Sequence, residues 1–178
     1  VVHRTGTFTA AAKSIIIRLN GKTSHAAEPE LGHNPASAIA DILNYGNDLT
    51  DPDLDSDGFF LVTPVYLTMG EKAYGVSAGY GEVHLTLRSF SNAVMDARSN
   101  DLTHKAEAIA SKYSLTADIS WTEVFAANEN NEEAVQLIKS AAGTIGLNIE
   151  ERSQPFKWGE DFGLFTQRYK GAMFGIGS

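Results

Sequence analysis

Two hydrophobic periodicities alternate along the first 123 residues, and their order restricts the fold more than any other feature. From Thr7 to Leu19 the period is two: Ile15, Ile17 and Leu19 fall on one face, Ser14, Ile16 and Arg18 on the other, as in a strand. The chain turns at Asn20-Gly21. Asn34-Pro35 is a helix start, because Asn accepts from orphan amides and Pro suits the first helical position; Ile39, Ile42 and Leu43 follow at helical spacing until about Gly46. Phe59 to Met69 is apolar on both faces, which predicts a strand buried or partnered on both sides. From Glu82 to Phe90, Val83, Leu85 and Leu87 alternate with His84, Thr86 and Arg88. A second helix is expected from about Asn92 to Tyr113, then a half-exposed strand from Leu115 to Thr122. Strand, helix, strand, strand, helix, strand is the split βαβ, ferredoxin-like α+β arrangement. It predicts a four-stranded antiparallel sheet with both helices on one face, complete by about residue 123.

Past the capping-rich stretch AANENNEE the rhythm changes. A helix is expected from Asn131 to Ala142, a short strand through Ile149, at least one helix after Trp158-Gly159-Glu160-Asp161-Phe162-Gly163, and an apolar strand from Ala172 to Ile176. These roughly 55 residues are too few to close a core of their own. The expected division is therefore 1–123 as one domain and 124–178 as part of an α/β domain whose other strands lie outside this chain.

Charge removes two classes of partner. The 178 residues carry 14 Lys and Arg against 22 Asp and Glu, a formal charge of -8, which repels nucleic-acid phosphates and anionic lipid. No run approaches the ~18 apolar residues of a membrane span, and the start VVHRTGTFTA lacks the basic and apolar regions of a signal peptide. The expectation is a soluble, cytoplasmic protein. Cysteine is absent, which excludes disulfides, thiolate metal sites and cysteine nucleophiles.

The candidate functional residues have plain structural readings beside the chemical ones. His25 lies in a loop of small residues, where an imidazole can donate to a substrate oxygen or simply face solvent. His33, next to the helix start, reads as a solvated or capping residue. His84 and Arg88 share a strand face; Arg is the usual fork for a carboxylate, and such a face is also a common solvent surface. Glu160-Asp161 opens a helix, where acids complement the dipole; general acid or base work would need them to converge on substrate. The pairs Glu132-Glu133 and Glu150-Glu151 read as solvated. The alternating Asp51, Asp53, Asp55 and Asp57 lack the closing glutamate of a twelve-residue calcium loop, so a solvated connection is expected.

The stretch GKTSHAAEPELGHNP resembles the lid segment of the aminoacylase-like metallopeptidases, which reads G-K-x-x-H-A-A-x-P-x-x-G-x-(D/N)-P. Gly21, Lys22, His25, Ala26, Ala27, Pro29, Gly32, Asn34 and Pro35 stand in step with it. EVHLTLRS (82–89) resembles the strand that ends in that family's Arg. GEDFGLFTQRYKGAMFGIGS resembles its EDF segment and the glycine-ended strand after it. The resemblance runs through essentially the whole chain but only the second half or so of a family member. It implies a ferredoxin-like lid and dimerisation domain followed by part of a two-metal α/β hydrolase domain. It further implies hydrolysis of N-acyl amino acids or small peptides, by a homodimer carrying two divalent ions, zinc being the expectation. On this resemblance His25 is the catalytic lid histidine and Arg88 holds a substrate carboxylate. Gly75 stands where relatives place a substrate-contacting Asn, and Glu160 and Asp161 support the site. No metal ligand is expected here: none of the five histidines is followed two residues on by Asp or Glu, and on this resemblance the early H-x-D or C-x-H segment and the Glu-Glu pair of the general base would precede Val1 and the late His would follow Ser178. The rival reading is a non-catalytic ferredoxin-like oligomerisation or small-molecule-binding module. The two differ after residue 123, where a fragment leaves an unfinished sheet edge and exposed apolar surface.

Overall fold

The computed structural model describes residues 1–177. In chain order its elements are β1 (Val2–His3), β2 (Gly6–Thr9), β3 (Ala11–Asn20), β4 (Ser24–His25) and α1 (Ala36–Leu49). Then come β5 (Phe60–Met69), β6 (Val76–Ser77), β7 (Tyr80–Ser89), α2 (Asn92–Lys112) and β8 (Thr116–Phe125). Last are β9 (Asn128–Asn130), α3 (Glu132–Thr144), β10 (Glu150–Glu151) and the single turn α4 (Gly163–Thr166).

The architecture is α+β. Four strands form one antiparallel sheet in the order β5-β7-β3-β8, and β3, with β7 and β8 on either side, is its centre. Register settles which face is apolar. Ile15 and Ile17 of β3 stand beside Leu85 and Val83 of β7, and with Leu19 and Leu87 they form one cluster with Ile39 and Ile42 of α1 and Leu102, Ala106 and Ile109 of α2. Both helices therefore pack on that face. Each fully buried aliphatic side chain there contributes about 1.5–3 kcal/mol. Ser91 Oγ caps α2 by accepting from Val94 N, and Asn131 Oδ1 caps α3 by accepting from Ala134 N at 3.2 Å.

Several boundaries differ from expectation, each because a distant segment intervenes. The expected strand from Thr7 to Leu19 is broken at Ala10, whose N–H leaves the ladder to donate to Phe156 O at 2.9 Å and Trp158 O at 3.1 Å. The piece before the break belongs elsewhere: β2 pairs with β9, and β1 pairs in parallel with β10. The first nine residues thus pair across a division drawn at residue 123, and β8 itself continues to Phe125. Helix α1 runs past Gly46 to Leu49, because Gly46 lies against Val62 of β5, where a Cβ would stand 3.0 Å from a valine methyl. β5 is not partnered on both sides. It is an edge strand, and Val65, Tyr66 and Leu67 are about half exposed. Ala172–Ile176 is not a strand; Gly175 alone bridges to Val2, since no described strand lies alongside the rest.

After residue 126, Leu137, Ile145, Leu164, Phe165 and Ile176 are all well exposed. The acidic loop turns on itself: Asp53 N donates to Asp51 Oδ1, Asp55 N to Asp53 Oδ1, and Ser56 Oγ to Asp51 Oδ2. No helix among the described residues is long and apolar enough to cross a membrane.

The other face of the sheet is polar and linked across strands. Glu82 accepts from Tyr80 Oη, is bonded to His84 Nε2, and has Arg18 Nε 3.6 Å away. Arg18 in turn lies 3.8 Å from Asp118 and donates to Ser120 Oγ. The Tyr80 hydroxyl, then His84, hold the Glu82 carboxyl below its ordinary range, against the opposing effect of burial, and Arg18 adds to the lowering. A lowered folded pKa means the stability is complete above the ordinary glutamate value and is lost as pH falls through the folded one.

Two outcomes follow. Leu85→Ala, at a fully buried central position, should cost about 2–5 kcal/mol in urea unfolding. Glu82→Gln should lower the urea midpoint near neutrality, with the gap from wild type closing as pH falls below the ordinary glutamate value; a pH-independent gap would remove the charge from the explanation.

Candidate functional site

The sheet holds the candidate side chains at two ends. At one end β3 leaves through Asn20 and Gly21, and the chain doubles back so that β4 pairs with β6, Ser24 with Ser77 and His25 with Val76. Ala26 N donates to Gly75 O at 3.0 Å, which brings His25 and Gly75 side by side although 50 positions separate them in sequence. His25 is exposed, and its Nδ1 accepts from Ala27 N at 3.1 Å. That bond requires Nδ1 to carry no proton, so the tautomer has its N–H on Nε2, free to donate outward. Nothing lies within 4 Å of the place a Gly75 Cβ would take, so the loop is open beside the imidazole. His33 is held by its backbone alone, exchanging N–H and C=O with Lys22.

Arg88 is at the opposite end. It stands eight residues along β7 from Tyr80, roughly 26 Å at the rise of a strand. Its Nη1 donates to Lys157 O at 2.8 Å, and the segment after Lys157 borders the same spot: Trp158 and Gly159 line a cavity of about 150 Å³ with Arg88. Glu160 is half-buried and Asp161 exposed; their carbonyls accept from Gly163 N and Leu164 N in the turn that opens α4. His84 shares the face of Arg88 but is engaged with Glu82 and packs against Tyr66 at 4.9 Å between ring centroids.

One chain thus joins His25 to Gly75, and Arg88 to the 157–161 segment, but does not join the two groups. Among the described residues no three His, Asp or Glu side chains converge as a metal would require. The described residues therefore do not fit a two-metal centre by themselves. Sequence reasoning missed the carbonyl of Lys157, the indole of Trp158 and the backbone of Glu123, which has a φ of 52°. No local signal marks them, because their placement depends on strand pairing and on a contact 69 residues from Arg88.

The chain matches no family model. It is 24% identical over 174 residues to the N-acetyldiaminopimelate deacetylase of Bacillus licheniformis, a match of 98% of this chain and 46% of that protein. A dinuclear metal-binding peptidase of the M20 family from Bacillus subtilis superposes with a TM-score of 0.72 at 20% identity, over 95% of this chain and 41% of that one. The aminobenzoyl-glutamate utilization protein of Klebsiella pneumoniae gives a TM-score of 0.73 at 18% identity, over 96% and 47%. The chain spans a little under half the length of the curated relatives it matches. In sequence it is similar to N-acetyldiaminopimelate deacetylases, and in fold to a dinuclear metal-binding peptidase of the M20 family.

Proposed function

We propose that this chain forms the lid and one flank of the catalytic domain of a metal-dependent amidohydrolase that cleaves N-acyl amino acids or small peptides. The observation that carries this reading is the separation of His25 and Gly75 from Arg88 by the length of the sheet. One protomer cannot place both groups on one small substrate; two copies can. Residues 11–125 are then the ferredoxin-like lid. Residues 1–9 and 127–177, which pair with one another, belong to the catalytic domain and meet the lid at Ala10 and Ala126. The exposed apolar side chains after residue 126 support a domain completed by further polypeptide rather than a self-contained module.

The free edge of β5 suits a two-fold partner, because an edge strand exposing Val65, Tyr66, Leu67 and Met69 can pair with its own copy and extend the sheet. Across such a dimer the outward N–H of His25 would donate to the carbonyl oxygen of the scissile amide as negative charge develops there. Arg88 would grip the substrate carboxylate through its fork. Glu160 and Asp161 would support the Arg88 end through the Trp158-Gly159 segment. Two divalent ions, zinc by preference, would be held by polypeptide beyond the matched region. A cytoplasmic location fits the composition.

In the full-length enzyme, His25→Ala should lower kcat by about 10²–10³ while the unfolding midpoint stays within a few degrees; unchanged turnover would take His25 out of the mechanism. Mixing inactive His25→Ala and Arg88→Ala subunits should restore roughly a quarter of wild-type activity, one intact site in half of the dimers. No recovery after confirmed subunit exchange would sink the shared-site reading.

A further inference from the structure

Beside Arg88 the sheet carries an irregularity with its own chemistry. Between the pairs Ser14–Thr122 and Ala12–Phe125, two residues of β8, Glu123 and Val124, stand against Lys13 alone. This is a bulge, and its first residue, Glu123, has a φ of 52°, a conformation that favours glycine. Strain of this kind persists where the surrounding structure enforces it, commonly to aim a side chain. Glu123 and Arg88 line the same cavity of about 150 Å³, walled by Phe125 and Trp158 and floored by Ser14 and Thr86. Among the described residues neither Arg88 nor Glu123 makes an ion pair. Lys13, which also lines the cavity, is already engaged by Asp96 at 3.9 Å and by the Trp121 ring at 4.4 Å. An unpaired cation and an unpaired anion thus open on one small, partly aromatic space.

We propose that Glu123 is a specificity residue that receives the cationic end of an amino-acid side chain while Arg88 holds the carboxylate of the same molecule. The substrate class is the N-acyl derivative of an amino acid whose side chain ends in an ammonium or guanidinium group. This rests on the amidohydrolase reading above and narrows it.

The test compares kcat/KM of the metal-loaded full-length enzyme for Nα-acetyl-lysine and for Nα-acetyl-norleucine, which has a similar shape and no side-chain charge. The wild type should prefer the lysine derivative at least about tenfold, the effect of one charge-assisted hydrogen bond. Glu123→Gln should cut that ratio by about the same factor. Glu123→Gly should cut it equally while unfolding no earlier than the wild type, because glycine relieves the positive φ. A wild-type ratio near one, or equal losses on both substrates in the variants, would overturn the assignment of Glu123 and leave the amidohydrolase reading standing. Failure of the wild type to hydrolyse any N-acyl amino acid would overturn both.

Discussion

The pairing of β3 with both of its neighbours is the constraint on which the rest of the structure depends. Ten consecutive residues of β3 stand in register with β7, and that register decides the fate of every side chain on the sheet. A slip of one residue would turn Ile15, Ile17 and Leu19 outward and bring Ile16 and Arg18 under the helices. The apolar cluster beneath α1 and α2 makes the slip prohibitive, so the polar face is as firmly specified as the buried one. Arg88 opposite Ala12, His84 opposite Ile16 and Glu82 opposite Arg18 are consequences of that single choice.

The second determinant is the joint between the sheet and the later residues. Ala10 gives up its ladder position to donate to the carbonyls of Phe156 and Trp158, and Arg88 reaches the carbonyl between them on Lys157. Phe156 is held by Phe8 edge-on at 5.3 Å between centroids and by the Arg152 guanidinium 4.0 Å above its ring. Gly163 comes so close to Ala126 that a Cβ would lie 2.3 Å from the Ala126 carbonyl oxygen. The two strands that leave the sheet, through Ala10 and Ala126, are therefore gripped by one segment, and that segment also borders Arg88.

Placing His25 at one end of the sheet and Arg88 at the other has a functional corollary. Each end lacks the group that the other carries. A hydrogen-bond donor free on Nε2 can answer an oxyanion, and a guanidinium can answer a carboxylate, but a small N-acyl amino acid spans only a fraction of the sheet. In the proposed dimer, association of copies along β5 would reconcile the two and cover the edge strand that a lone chain leaves bare.

The sequence by itself determined the six elements that build the sheet and its two helices, their order, and the apolar faces of β3, β7, β8 and the helices, because local periodicity reports burial wherever a strand or helix has one wet side. It also carried the G-K-x-x-H-A-A motif around His25. It could not tell that Phe59–Met69 lies at an edge, since an apolar run reads alike whether a neighbour or solvent waits beside it. Nor could it show that Ala10 interrupts a strand, that Gly75 lies against the His25 loop, or that a glutamate occupies the bulge at 123. Those facts depend on hydrogen bonds between residues far apart in the chain, and only the folded arrangement brings the partners together. After residue 126 the local patterns weaken for the same reason. The helix α3 was legible from its cap and spacing, whereas Ala172–Ile176 had strand character but no described strand to complete a ladder, and a strand exists only where another accepts its backbone.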